Sequence, residues 1–283
     1  MNKLPAGTEE LIDRAIEEDL GSGDVTAEAT VPEDLLAQAH IVQKQPGVIC
    51  GLDIVERVFQ KTGAEEMDRT VIEGHWHASV PRDIALIQGS ARALLAGERV
   101  ALNFLGHLSG ISTLTAQFVD AVAGTGARIL DTRKTTPGMR LLEKRAVSWG
   151  GGMNHRFGLY DAVLIKENHI TMAGGVEAAV DATRRASPDL QIEVEAEDLA
   201  EVRAALAAEA DRILLDNMDS ATLAEAVALR DEARPRTELE ASGGINLKNV
   251  KGVASAGVDF ISIGALTHSA PSLDVSLLVN PLS

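Results

Sequence analysis

The sequence predicts a two-part α/β protein: a small N-terminal α+β module, then an incomplete or irregular β/α barrel. Two observations carry this. After Gly124-Thr-Gly126, six short apolar runs alternate with amphipathic helical segments, the pattern of a parallel sheet covered by helices. Polar and glycine residues fall at or just past the C-terminal ends of those runs: Arg133 and Lys134, Lys166, Glu195, Asp216, Ser242-Gly243-Gly244 and Gly264. In a β/α barrel that end carries the chemistry. Six units are too few to close an eight-stranded barrel.

Taken in order, the chain opens with Thr8 as a candidate N-cap, Glu9 and Glu10 in the first turn, and an apolar stripe of Leu11, Ile12, Ala15 and Ile16. This short helix ends at the flexible GSGD turn, 21–24. Residues 37–50 alternate imperfectly and break at Pro46-Gly47, predicting two strands around a turn. A helix over 52–60 and strands over 66–72, 75–80 and 83–88 complete the module. The segment 97–123 is apolar around most of its circumference, so a helix buried on most sides is expected, with Gly106 and Gly110 admitting another backbone. Arg99 is placed near its start, where the dipole opposes a cation and an anion site is the better explanation.

The barrel strands are expected at 128–132, 161–165, 191–195, 212–216, 238–242 and 259–263. Helices over 140–149, 175–186, 198–208, 219–230 and 246–255 separate them, with Asp219 or Ser220 and Asn246 as caps. The closing segment, 273–279, is expected to pack back on the first module.

Composition narrows the function. The formal net charge is −16 and the pI about 4.8, which disfavours nonspecific nucleic-acid binding. Yet residues 128–169 hold eight Lys/Arg against four acids. A local cationic site in an acidic chain points to a small anionic ligand, not to a nucleic-acid or membrane surface. The lone cysteine, Cys50, sits in an apolar run and excludes an intramolecular disulfide. The first twenty residues lack a signal-peptide core and no later run is long enough to span a bilayer, so a soluble cytoplasmic protein is expected.

Arg133, His155, Arg156 and Lys166 lie on three loops or strand ends that a barrel would bring to one mouth. Two guanidinium forks and an ammonium can bind two carboxylates. Arg140 and Lys144, by contrast, read as a solvated helix face shared with Glu143. Ser242-Gly243-Gly244 and Gly264 stand where barrels bind phosphate through backbone N–H groups. Glu195 and Asp216 could hold Mg²⁺, accept hydrogen bonds from sugar hydroxyls, or cap the barrel rim. His75 and His77 read as one exposed strand face, His107 as a hydrogen-bonded core residue, and His268 as either a phosphate contact or a surface residue.

The ordered set ERVALNFLGHLSGI (98–111), DTRKTTPGMR (131–140), GGGMNHRFGLYDAVLIKENH (150–169), EVEAE (193–197), LLDN (214–217), ELEASGGI (238–245) and GVDFISIGALTHS (257–269) resembles the quinolinate phosphoribosyltransferase family, as does EEDLGSGDVTAEAT (17–30). The resemblance implies an N-terminal α/β sandwich domain over 1–110, with 271–283 packing back on it, and an irregular open α/β barrel over 111–270. It implies phosphoribosyl transfer from phosphoribosyl pyrophosphate to quinolinate, with decarboxylation and Mg²⁺, in NAD biosynthesis. A homodimer with shared active sites is implied too, and a higher homo-oligomer is left open. Residue by residue, Arg133, His155, Arg156 and Lys166 match the quinolinate positions, with Arg99 reaching in from a neighbouring subunit. Lys134, Glu195, Asp216, Ser242, Gly243, Gly244, Gly264 and His268 match the phosphoribosyl pyrophosphate side, and Lys134, Lys166, Glu195 and Asp216 the catalytic set. The metal is expected through the substrate, with Glu195 and Asp216 as protein ligands left open. Three rivals remain: a paralogue with another acceptor, a Schiff-base lyase using Lys166, and a non-catalytic nucleotide sensor.

Overall fold

Leu11, Ile12, Ala15 and Ile16 recur on one side of α1 (Thr8–Leu20), and Ile12 is fully buried. The computed structural model describes residues 4–282. Its helix starts at Thr8 with Gly7 as N-cap and no side-chain cap, so the expected Thr8 cap is absent. A second helix, α2 (Val25–Thr30), was not anticipated; Asp24 caps it by accepting from the Thr26 and Ala27 amides.

Strand β1 (Leu36–Gln43) is followed by β2 (Gly47–Val48), α3 (Leu52–Thr62), β3 (Ala64–Arg69), β4 (Trp76–His77), β5 (Arg82–Ser90) and α4 (Ala91–Ala121). The alternation in β1 fails at Ile41/Val42, where a register shift against β5 leaves Ile41, Val42 and Gln43 all buried. The expected strand over 75–80 shrinks to β4. The ring nitrogens of His75 and His77 lie against the Glu73 and Ile72 carbonyls. Helix α3 buries Leu52, Ile54, Val55, Val58 and Phe59, each worth about 1.5–3 kcal/mol when removed from water.

The long α4 satisfies backbone groups as well as burying apolar surface. Ser109 accepts the Cys50 amide at 3.0 Å and Thr113 the Val48 amide at 2.9 Å. Burial pushes the Cys50 thiol up to about 12, consistent with a packing role. A Cβ on Gly110 would stand 2.1 Å from the Pro271 carbonyl oxygen, and Gly106 accepts the Leu273 amide at 2.9 Å. These glycines therefore admit the returning chain, as the sequence suggested.

Beyond α4 the order is β6 (Arg128–Leu130), α5 (Arg140–Trp149), β7 (Val163–Ile165), α6 (Glu167–Ala173), α7 (Val176–Ala186), β8 (Ile192–Ala196), α8 (Leu199–Ala207), β9 (Arg212–Asp216), α9 (Ser220–Ala233), β10 (Glu238–Ser242), α10 (Val250–Ser255), β11 (Phe260–Ser262), α11 (Ala265–His268) and β12 (Val275–Pro281). Helix α6 was missed: it starts directly after Lys166 and spans only seven residues. Asn246 does not cap α10. It organises the preceding turn by accepting the Lys248 amide, and Asn249 takes the cap position.

Chain contacts divide the molecule into two units. One comprises Met1–Ala116, Thr136–Gly151 and Ser269–Ser283, built on an antiparallel sheet of order β12-β1-β5-β3. Strand β12 pairs with β1 from Ala37↔Pro281 to Gln43↔Val275, so the C-terminal segment does return to this sheet. The other unit, Gln117–Thr135 and Gly152–His268, holds an all-parallel sheet of order β6-β11-β10-β9-β8-β7, the open α/β barrel. No described helix is long and apolar enough to cross a membrane.

Helix α5 corrects one expectation. Glu143 and Lys144 are fully buried, not part of a solvated face. Glu143 accepts from the Thr136 amide at 3.1 Å and meets His107 Nε2 at 2.8 Å, so it fixes the turn before α5 and gives His107 its partner.

Candidate active site

Period-two alternation builds the site. In β8, Ile192, Val194 and Ala196 occupy one face, leaving Glu193 and Glu195 on the other. In β9 that same glutamate-bearing face carries Arg212, Leu214 and Asp216; in β10 it carries Glu238, Glu240 and Ser242. Parallel register aligns them: Arg212 pairs with both Glu193 and Glu238, Leu214 with Glu195 and Glu240, and Asp216 with Ser242.

At the N-terminal end of this face, Arg212 contacts Glu238 at 2.7 Å, and Arg212 and Arg128 stack on the Phe260 ring at 4.0 and 4.1 Å. Above lie Glu193 and Glu240, both buried. His155 Nε2 stands 3.0 Å from Glu193 and 3.6 Å from Glu240. Burial raises both carboxyls, Glu193 to about 7 and Glu240 to about 8; the Glu193 charge adds to the second shift, which His155, Ser262 and Arg212 oppose in that order, and Arg212 opposes the first. The ligand atoms of His155, Glu193 and Glu240 lie within 4.8 Å of one another, spacing that a metal ion could use. Arg212, 3.4 Å from Glu240, already supplies positive charge there.

At the C-terminal end, Lys166 Nζ forms an ion pair with Glu195, joining the ends of β7 and β8. The Lys166 amide donates to His169 Nδ1 at 3.0 Å, which holds the strand-to-helix junction. That ion pair uses Nζ as a charge, which counts against the Schiff-base alternative. Asp216 accepts from the Asn217 side chain at 2.7 Å, and the Asn217 amide donates to the Ser242 carbonyl at 2.8 Å. Gly243 has φ 95°, and a Cβ there would stand 2.2 Å from Asn217 Oδ1. On the next strand end, a Cβ on Gly264 would stand 3.1 Å from Lys134 Cδ and 3.2 Å from the His268 ring. Lys134, Gly264 and His268 therefore share one corner, secured by Thr267 donating to the Lys134 carbonyl at 2.7 Å.

Arg156 and Arg133 are electrostatically coupled. Burial first, then the Arg133 charge, lowers the Arg156 guanidinium pKa. Two coupled cations, one of them partly buried, favour an anion in their field. Arg156 Nη1 donates to the Ala162 carbonyl at 3.2 Å, and buried Asp131 accepts the His155 amide at 2.8 Å.

Every site residue read from the sequence except Arg99 lies in this barrel unit. Arg99 belongs to the other unit, is exposed, and lines a groove with Leu102, Asn103 and Gly106. The dipole reasoning for it fails, because α4 begins at Ala91 and Arg99 lies beyond the first turn. Sequence reasoning missed Asp131, Glu193, Arg212, Asn217 and Glu240. The period-two spacing of EVEAE and ELEAS was the available signal for the two glutamates.

The chain matches the model of the quinolinate phosphoribosyl transferase N-terminal domain over residues 24–109 and that of the C-terminal domain over 111–278. The chain belongs to the quinolinate phosphoribosyltransferase family. Among relatives, it is 44% identical over 271 residues to the nicotinate-nucleotide pyrophosphorylase [carboxylating] of Mycobacterium leprae, covering 94% of this chain and 95% of that one. It is 39% identical over 293 residues to quinolinate phosphoribosyltransferase [decarboxylating] 1b of Nicotiana tabacum, covering 95% and 81%. The crystal structure of NadC from Streptococcus pyogenes superposes with a TM-score of 0.93 at 38% identity over all of both chains. Quinolinate phosphoribosyltransferase architecture thus accounts for both units of this molecule.

Proposed function

We propose that this chain transfers the phosphoribosyl group of phosphoribosyl pyrophosphate to quinolinate with loss of CO2, giving nicotinate mononucleotide and pyrophosphate in de novo NAD biosynthesis. The observation that carries this reading is the ion pair of Lys166 with Glu195, set among Arg133, Arg156, Asp216 and the Ser242–Gly244 loop in one barrel unit.

Each group has a task that its place supports. Arg133, Arg156 and Lys166 bind the two carboxylates and aim the ring nitrogen at C1′ of the sugar. Glu195 and Asp216 hold the ribose hydroxyls and stabilise positive charge as the bond to pyrophosphate lengthens. Lys134, with His268 and the backbone at Ser242–Gly244 and Gly264, holds phosphate oxygens on the leaving side. When the ring nitrogen bonds to C1′ it becomes cationic. The adjacent C–CO2 bond then breaks, its electron pair stays on the ring carbon beside that cation, and a proton completes nicotinate mononucleotide.

Mg²⁺ fits the donor set as a cation shared with the substrate. Glu195 and Asp216 are two carboxylates on neighbouring strand ends, one engaged by Lys166, too few for a protein cage but suited to a metal carried on phosphate. Bound there, it would neutralise charge on the departing pyrophosphate. Exposed Arg99 is read as a contribution to the quinolinate site of a second copy, which makes the working unit a homodimer. A cytoplasmic setting agrees with one buried cysteine. The test is turnover: purified protein with quinolinate, phosphoribosyl pyrophosphate and Mg²⁺ should release nicotinate mononucleotide. Folded protein that makes none contradicts the reading.

A further inference from the structure

His155 is the one imidazole in the proposed dicarboxylate site, and its surroundings leave it little freedom. Its amide donates to buried Asp131 at 2.8 Å. The next amide, of Arg156, donates to His155 Nδ1 at 2.7 Å. A nitrogen that accepts must carry a lone pair, so Nδ1 is unprotonated and the ring proton is on Nε2. Nε2–H points at the Glu193 carboxylate, 3.0 Å away, with Glu240 at 3.6 Å. The His155 side chain is 10% exposed, that of Glu193 5%, and that of Glu240 is fully buried. Glu193 Oε1 and Glu240 Oε1 have no hydrogen-bond partner, while Arg212 Nη1 donates to the other Glu240 oxygen at 3.4 Å, so the pair has acceptor capacity to spare for the imidazole N–H.

Both ring nitrogens are therefore engaged by the protein. We propose that His155 is a positioning residue: a neutral imidazole braced between the Glu193–Glu240 pair and the Arg156 amide, which fixes the backbone from which the Arg156 guanidinium reaches the Ala162 carbonyl. It supplies no charge to the substrate. Arg133, Arg156 and Lys166 are the cations that read the carboxylates, while Asp131, Glu193, Glu240 and Arg212 form the buried frame behind them. The task given to Arg156 rests on the proposed function; the tautomer does not.

The test has two parts. The first is nitrogen NMR of the full-length wild-type protein labelled in histidine, at neutral pH, with and without quinolinate. His155 should show one protonated and one unprotonated ring nitrogen in both states. A doubly protonated ring, or an unprotonated Nε2, overturns the proposal whatever the activity. If the tautomer is as expected but no nicotinate mononucleotide forms, the functional reading fails and the frame stands.

The second part compares replacements. In His155→Asn, Oδ1 takes the place of Nδ1 and can accept the Arg156 amide; His155→Gln can reach Glu193 but not that amide; His155→Ala does neither. Loss of the Arg156 hydrogen bond should raise KM for quinolinate roughly tenfold in the Gln and Ala variants. The Asn variant should recover most of that loss, with kcat falling less than KM rises. Equal impairment of all three folded variants would mean that the imidazole charge itself is needed, and would overturn the proposal. Glu193→Gln keeps an acceptor for Nε2–H and should leave the tautomer unchanged; a switch of the ring proton to Nδ1 counts against the frame.

Discussion

Lys166 and Glu195 meet across the C-terminal ends of β7 and β8, so a residue read as a carboxylate-binding cation and one read as a ribose-binding anion are direct partners. In the free protein each compensates the other. Under the proposed function, binding would turn Lys166 to the dicarboxylate and Glu195 to the sugar, coupling the two halves of the site. Lys166→Ala should lower kcat/KM for quinolinate by about 10²–10³, in the range found for loss of one preorganised charged donor. Glu195→Gln should act mainly on phosphoribosyl pyrophosphate. Steady-state kinetics with each substrate varied in turn separate the two, and a Lys166→Ala enzyme of normal efficiency would remove this residue from the site.

Gly243 sits at φ 95°, with the Asn217 side chain where its Cβ would be. Gly243→Ala should distort the loop at a strain cost of about 1–3 kcal/mol. The expected result is a KM for phosphoribosyl pyrophosphate raised about tenfold or more, with a normal circular dichroism spectrum and little change in quinolinate affinity measured alone.

The buried pair predicts a pH dependence of stability. Glu240 ionises near 8 in the native protein, far above its unfolded value, because burial and Glu193 oppose its charge. Between about pH 4.5 and 8 the native state keeps a proton that the unfolded chain has released, so stability falls as pH rises through that window. Glu240→Gln should flatten urea-unfolding free energy between pH 5.5 and 8.5. An unchanged slope would show that Glu240 is ionised throughout.

Arg99 and Lys166 lie in different units of the chain. If Arg99 serves a partner's site, Arg99→Ala and Lys166→Ala proteins, each nearly inactive, should regain up to about a quarter of wild-type activity when mixed, because random exchange leaves one intact site in half of the dimers. No recovery after confirmed subunit exchange would place Arg99 outside the shared site.

How much of this was legible in the sequence follows from which forces act locally. Strands β9 and β10 start and end where the alternation placed them, since each is a short apolar run with a polar end. The position of Arg99 was misjudged because the apolar run reads as opening at Gly97; the local mark of the true start is Gly89-Ser90, whose Ser90 hydroxyl accepts the Ala93 amide at 3.5 Å in the manner of an N-cap. Glu143 and Lys144 read as surface because, three and four residues after Arg140, they complete a charged helix face of the kind that is normally solvated. Only tertiary contacts, such as that of Glu143 with His107 and the Thr136 amide, make burial tolerable. The terminal polar residues of the strands were read as chemistry while Glu193 and Glu240, two positions earlier on the same face, were passed over. The spacing was visible; what was not visible is the His155 loop that folds over them.

The most direct test of the central claim is the stoichiometry of decarboxylation. Quinolinate labelled in the carboxyl next to the ring nitrogen, incubated with the protein, phosphoribosyl pyrophosphate and Mg²⁺, should release one labelled CO2 and one pyrophosphate per nicotinate mononucleotide, and no CO2 when phosphoribosyl pyrophosphate is omitted. Label retained in the product, or CO2 released without the phosphoribosyl donor, would contradict it.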